Sequence, residues 1–382
     1  MSITELTAAL GVQTSEPDES GWDRPLFVTT CMLCGFGLLM ILSASYAGAD
    51  HDYGDPSHYF IRQVIGIGIG AVGATVILVA PWRLLRRAVW PAYFITILLG
   101  FAVLSPLGHS VNGASRWLSL GPMNFQPSEL AKLAVILAVA HFLACNEGRL
   151  KDVAGVALPA AGLAFPFLLL MKYQKDFGTM VILTGLTGVL LFVAGLQKRW
   201  LVGAVAMVIP VAVHQISAQA YRLRRLEAYW DPFKHAEDAG YQVVQAMVAL
   251  ATGGAIGTGL ASGVGQSGFI PEPHTDFISA VIGEELGAFG WCLTVGLQMV
   301  LVWRILVVSE RARDLFGSLV AVGVATMLGA QAVINLGVVS GLIPNKGLVL
   351  PFLSYGASAV IVQVIAVGIV LRVGLESRRE VS

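Results

Sequence analysis

The sequence predicts an all-α polytopic membrane protein of about ten transmembrane helices, both termini cytoplasmic, with a large outer loop between spans 7 and 8. Three observations carry this. The 382 residues are 56% hydrophobic and 13% charged, about half the charge of soluble domains, and the mean hydropathy is +0.74. Apolar segments long enough to cross about 30 Å of hydrocarbon recur along the chain. The polar connections between them alternate in basic content, which sets orientation by the positive-inside rule. The formal net charge is zero, so nothing points to nucleic acid as a partner.

A polar cytoplasmic tail, 1–24, precedes the first span. That span is too long for the apolar core of a cleavable signal and is expected to stay as a helix. The predicted spans are 25–47, 59–80, 88–105, 127–145, 153–171, 177–196, 200–217, 277–303, 315–339 and 355–374, forming one membrane domain over 25–374 before a short tail, 375–382. The basic-rich connections hold Arg24; Arg83, Arg86 and Arg87; Arg149 and Lys151; Lys198 and Arg199; Arg304, Arg311 and Arg313; and Arg372, Arg378 and Arg379. The opposite set is poorer in lysine and arginine and holds the longer connections, 106–126, 218–276 and 340–354. Cys31-x-x-Cys34 has redox-like spacing but sits within an apolar helix, where packing is the simpler role.

In the large outer loop, Tyr221 to Trp230 reads as an amphipathic surface helix carrying Arg222, Arg224 and Arg225. Interfacial anchoring and capture of a phosphate by arginine forks both fit it. Val243 to Leu260 is apolar and glycine-studded, a candidate for re-entry into the membrane. The loop ends in Pro271-Glu272-Pro273-His274-Thr275-Asp276-Phe277-Ile278, which sets a carboxylate at the mouth of a span. An acid there is costly unless it faces water, a partner or a substrate; capping of the helix by Thr275 or Asp276 is the plainer alternative.

Four more polar clusters lie on the outer side. Asn112 to Trp117 places Arg116 beside Trp117, and Gln126-Pro127-Ser128-Glu129-Leu130-Ala131-Lys132 opens a span. Glu129 and Lys132 share a helix face and are expected to pair. Gln174-Lys175-Asp176-Phe177-Gly178-Thr179 is the third, and Asn335-Leu336-Gly337, Pro344-Asn345-Lys346-Gly347 and Leu350 to Ser358 together form the fourth. Capping explains one such cluster more readily than all of them on one side. Nucleotide hydrolysis, zinc chemistry and a serine-hydrolase elbow find no matching motif: there is no Gly-x-x-x-x-Gly-Lys, no zinc spacing among the seven histidines and no Gly-x-Ser-x-Gly.

These clusters, in this order, resemble the SEDS family (shape, elongation, division and sporulation) of polytopic membrane proteins. The resemblance runs from Leu42-Ser43-Ala44-Ser45 to Ser358 and includes Gly240-Tyr241-Gln242 and Gly283-Glu284-Glu285-Leu286-Gly287. Gly240-Tyr241-Gln242 and Pro344-Asn345-Lys346-Gly347 look more like the division branch than the elongation branch. The chain departs from the family pattern at Lys175, where proline is usual, at Ser279, where phenylalanine is common, and at Ala357, where a second glycine is usual.

The resemblance implies a peptidoglycan glycosyltransferase that polymerises lipid II at the outer face of a bacterial inner membrane, at the division septum, releasing undecaprenyl pyrophosphate. Implied partners are a class B penicillin-binding protein, other division proteins and membrane lipid. Asp276 matches the family's essential aspartate and is the expected base. Expected substrate contacts are Arg116, Trp117, Glu129, Lys132, Arg222, Arg225, His274, Lys346 and Ser354. No metal site and no cofactor are required by the sequence; a divalent cation stays an open alternative. Two other classes stay open as well: a flippase or transporter of lipid-linked precursors, and a non-catalytic division scaffold.

Overall fold

The computed structural model describes residues 22–111, 114–120, 123–217, 220–238, 240–263 and 269–377. The predicted tails therefore lie mostly outside the described residues, as do Asn112 and Gly113. Helices dominate: α1 Arg24–Tyr53, α2 His58–Val79, α3 Trp82–Leu104 and α4 Pro127–Cys145 come first. Then follow α5 Leu158–Gly162, α6 Phe165–Tyr173, α7 Phe177–Val193, α8 Lys198–Ser217, α9 Ala220–Trp230 and α10 Tyr241–Gly253. The last three are α11 Ile278–Glu310, α12 Leu315–Val339 and α13 Ala357–Glu376. Among the described residues, eight helical segments are long and apolar enough to cross a membrane. Phe177–Val193 is a shorter apolar helix, and α8 accounts for the tenth predicted segment.

Two segments hold structure beyond what the sequence predicts. The connection 106–126, predicted as a long outer connection, holds a three-stranded antiparallel sheet, β1 Gly108–Val111, β2 Ala114–Leu120 and β3 Met123–Phe125, in the order β1-β2-β3. His109 faces Trp117 across one pair and Leu118 faces Phe125 across the other. Asn112-Gly113 is a hairpin signal of the usual kind in the sequence, and the sheet is a small addition to a mainly helical chain. The predicted span 153–171 is present as the apolar segment Val153–Tyr173, within which the helix divides into a π-helical turn Val153–Ala157, α5 and α6. Pro159 and Pro166 sit at the starts of α5 and α6, where a missing N–H costs nothing, and each ends the segment before it.

The core is a bundle in which α4, α12 and α13 are the most enclosed, their buried faces running from Ala131 to Leu143, Phe316 to Val339 and Val360 to Val373. The first helix is tied to α11 at its start: Arg304 engages Asp23 through Nε (3.2 Å) and Nη2 (2.6 Å), while Asp23 also caps α1 by accepting from Leu26 N. Large apolar side chains exposed on α2 and α3, such as Val72, Val76, Phe94, Leu98 and Phe101, suit contact with lipid.

The helix that carries the acid-bearing mouth is opened in its middle. At Gly287 the backbone leaves helical geometry (φ 64°, ψ −159°), a region that favours glycine. The segment after α10 fills the gap: Thr258 N donates to Glu284 O (2.9 Å), Gly259 N to Glu285 O (3.0 Å) and Ala288 N to Gly254 O (2.9 Å). The glycine-rich stretch predicted from Val243 to Leu260 thus becomes a helix and a loop whose backbone groups are satisfied by α11. Glu284 and Glu285 are both buried there, and Ser43 Oγ donates to Glu285 Oε2 (2.7 Å).

Candidate functional site

The turn Pro273–Phe277 delivers Asp276 to the start of α11, and the loop before α13 is folded against it, Tyr355 N donating to His274 O (2.8 Å). A Cβ built on Gly347 would lie 2.6 Å from Asp276 Oδ2, so the carboxylate rests directly over that glycine. Asp276 does not cap α11: the residue before the helix is Phe277, and no side-chain cap bond is made. The Asp276 side chain is half-buried. Burial, and next the Glu272 carboxylate, push its carboxyl up to about 6, while Arg225 and Arg116 pull it back. The competition is won by desolvation, since two arginines would otherwise hold a carboxylate below its ordinary value near 4.

Two of the predicted basic residues converge on this carboxylate from different elements. Arg225, on α9, donates from Nη1 to Asn345 O (3.4 Å). Arg116, on β2, donates from Nη2 to Lys175 O (2.7 Å), and its buried Nε has no partner among the described residues. Lys346 precedes the glycine under Asp276 and lays its ammonium over the Phe177 ring, 3.9 Å from the centroid. Arg222 lies on α9, but its side chain is outside the described part of the structure. Lys175 takes a left-handed conformation (φ 57°), and the Arg116 bond to its carbonyl braces that turn. Asp176 caps α7 with both oxygens, accepting from Thr179 N and Oγ1.

The other predicted residues have separate surroundings. Glu129 and Lys132 form a buried pair at the start of α4, with Nζ 2.8 and 2.7 Å from the two carboxylate oxygens and Lys132 fully enclosed. Trp117 is half-buried on β2. The Ser354 hydroxyl accepts from Leu350 N (2.8 Å), closing the turn before α13. His274 is buried against the rings of Tyr59 (4.1 Å) and Tyr355 (5.5 Å), and burial lowers its imidazole to about 4, so it stays neutral near pH 7.

Asn335 and Glu272 join the site without having been singled out as site residues. Asn335 Nδ2 donates to Asp276 O and to Leu348 O, both at 2.7 Å, and Ser279 Oγ donates to Asn335 Oδ1 (2.9 Å). A buried-facing asparagine near the end of an apolar helix is the sequence signal that could have marked it. A narrow, mostly apolar cleft lined by Arg225, Tyr229, Met247, Ile343 and Asn345 adjoins the site. Among the described residues, no group of three or more histidine, cysteine, aspartate or glutamate side chains is arranged to hold a metal.

The arrangement therefore offers a carboxylate poised near neutrality, two guanidinium groups beside it and a lysine on the adjoining loop. It can accept a proton from a weakly acidic hydroxyl and hold an anion within the same few residues.

Comparison with known proteins follows the same lines. Residues 24–379 match the cell cycle protein model that covers FtsW, RodA and SpoVE. A "probable peptidoglycan glycosyltransferase FtsW" of Trichlorobacter lovleyi is 36% identical over 353 residues, covering 92% of this chain and 93% of the relative. One of the same description from Halothiobacillus neapolitanus is 37% identical, covering 93% and 86%. A solved structure concerned with the coordination of polymerization and crosslinking by a peptidoglycan synthase complex is similar over 94% of this chain and 99% of its own, with TM-score 0.78 and 31% identity. The crystal structure of the rod shape determining protein RodA of Thermus thermophilus matches 95% of this chain and 100% of its own, with TM-score 0.69 and 30% identity.

Proposed function

This chain belongs to the FtsW/RodA/SpoVE family, and from that premise we propose that it is a peptidoglycan glycosyltransferase of the FtsW kind, polymerising lipid II for septal wall synthesis. The observation that carries the reading is the Asp276 carboxylate, held over Gly347 with Arg225 and Arg116 beside it. A sugar hydroxyl is too weak an acid to attack unaided, and a base whose pKa lies near the working pH is the effective one. Asp276 takes that proton as the hydroxyl attacks the anomeric carbon of the donor. The bond from that carbon to the diphosphate oxygen breaks, and undecaprenyl pyrophosphate leaves. Arg225, Arg116 and Lys346 meet the departing charge, and the unpartnered buried N–H of Arg116 is the kind of donor a phosphate oxygen satisfies.

A multi-pass scaffold with its reactive groups at the end of the bundle suits a substrate whose tail remains in lipid. On this reading the site lies at the outer face of the bacterial inner membrane, with both termini in the cytoplasm. The relative whose structure concerns a peptidoglycan synthase complex supports a class B penicillin-binding protein as the partner that crosslinks the product. The test is incubation of the purified chain, alone and with such a partner, with labelled lipid II in liposomes, with and without a divalent cation. Glycan strands resolved by gel are the expected product. Movement of lipid II between leaflets with no polymer would instead mark a transporter.

A further inference from the structure

We infer that Asn335 is a positioning residue for the glycosyl transfer, fixing the Asp276 turn and the Lys346 loop to each other through one amide, with Ser279 setting the orientation of that amide. The inference rests on the reading of Asp276 as the base. Asn335 stands near the outer end of α12 and is 1% exposed. Its Nδ2 lies 2.7 Å from Asp276 O and 2.7 Å from Leu348 O. Both partners are carbonyl oxygens and can only accept, so the nitrogen must face them and the amide cannot be flipped. Oδ1 then faces Ser279, whose hydroxyl donates at 2.9 Å. Both N–H groups and the oxygen are used, and all three partners come from segments that carry the site.

The consequence is geometric. One bond holds the residue that bears the base; the other holds the loop one residue past Gly347, on which the carboxylate rests, and two past Lys346. The one amide thus bonds both the Asp276 carbonyl and the Leu348 carbonyl.

The test compares wild type, Asn335→Ala, Ser279→Ala and Ser279→Cys, the last near in size but a weak donor. Polymerisation of labelled lipid II is measured with the full chain and its partner across pH. The expected result is a fall in kcat on the order of 10²-fold for Asn335→Ala, with KM little changed, and a smaller fall for both Ser279 variants. The acid limb of the profile should also move down as water reaches Asp276. The charged and titratable groups that face this carboxylate are Glu272, Arg225 and Arg116, with His274 and Lys346 flanking, and none of them is altered by these variants. If Asn335→Ala does not fold, the Ser279 variants alone decide. Reduced folded yield with unchanged kcat and an unmoved limb would reduce Asn335 to a structural residue and overturn the inference. Polymerase activity in wild type with all variants equal overturns it while leaving the glycosyltransferase reading intact. A wild type that makes no polymer overturns both.

Discussion

Gly347 has no side chain where the Asp276 carboxylate lies, and that single contact makes a sharp expectation at the residue scale. A methyl group there would stand 2.6 Å from Oδ2, and the atom it meets is the tip of a side chain able to swing away. Gly347→Ala should therefore fold and insert normally yet lose polymerisation by at least about tenfold, because a displaced base forfeits its alignment with the hydroxyl. Parallel measurement of folded yield in detergent and of lipid II turnover checks it; equal turnover would mean that the carboxylate is not used where it sits. Asp276 was legible in the sequence, because an acid at a span entrance is expensive and the surrounding motif is specific. Asn335 was only part of a wider cluster, because its three partners lie up to 59 residues away from it in the chain. Ser354 shows the reverse case: a hydroxyl that looks available in sequence accepts a backbone bond four residues away.

At the scale of the elements, the Glu129–Lys132 pair on α4 is buried and made within one helix turn. Breaking a buried pair leaves the other charge without compensation, a cost of roughly 3–5 kcal/mol, whereas replacing both partners by apolar groups is often neutral. Glu129→Gln and Lys132→Met alone should each lower stability in detergent by about that much. The double apolar change should be far less harmful, and thermal unfolding of the three variants decides; additive losses would show that the two charges do not act as a pair. Helical periodicity and apolar length made most helices readable, including the surface helix at Ala220–Trp230. The sheet at Gly108–Phe125 was missed because its strands are short and its alternation weak. The fifth span is there as predicted, and the two prolines inside it decide only where its helical segments start. The opening of α11 at Gly287 needs the loop after α10 to fill it, and no local pattern announces a partner of that kind.

For the whole molecule, the site exists only because distant pieces meet: β2, α9, the Pro273–Phe277 turn and the loop before α13 each bring one group. Apolar length marks the candidate spans along the chain, but this convergence follows from packing. Its electrostatic result is measurable. The Asp276 carboxyl is raised to about 6 by burial, so the base is charged above that pH and polymerisation should rise through about pH 6 and hold above it. Stability runs the other way. The folded state binds this proton more tightly than the unfolded chain, so the contribution of Asp276 to stability falls as pH rises from about 4 to about 6 and stays lost above. Thermal unfolding across pH in the full complex should show that slope diminished in Asp276→Asn, which at neutral pH should be no less stable than wild type.

The central claim is that Asp276 is the base of a lipid II polymerase, and the most direct measurement is glycan polymerisation by purified Asp276→Asn beside wild type, each with its penicillin-binding partner. The amide keeps the shape of the side chain and removes its basicity. Wild type is expected to give polymer and the variant none above background, with folded yield and partner binding equal. Near-normal polymer from Asp276→Asn would contradict the claim.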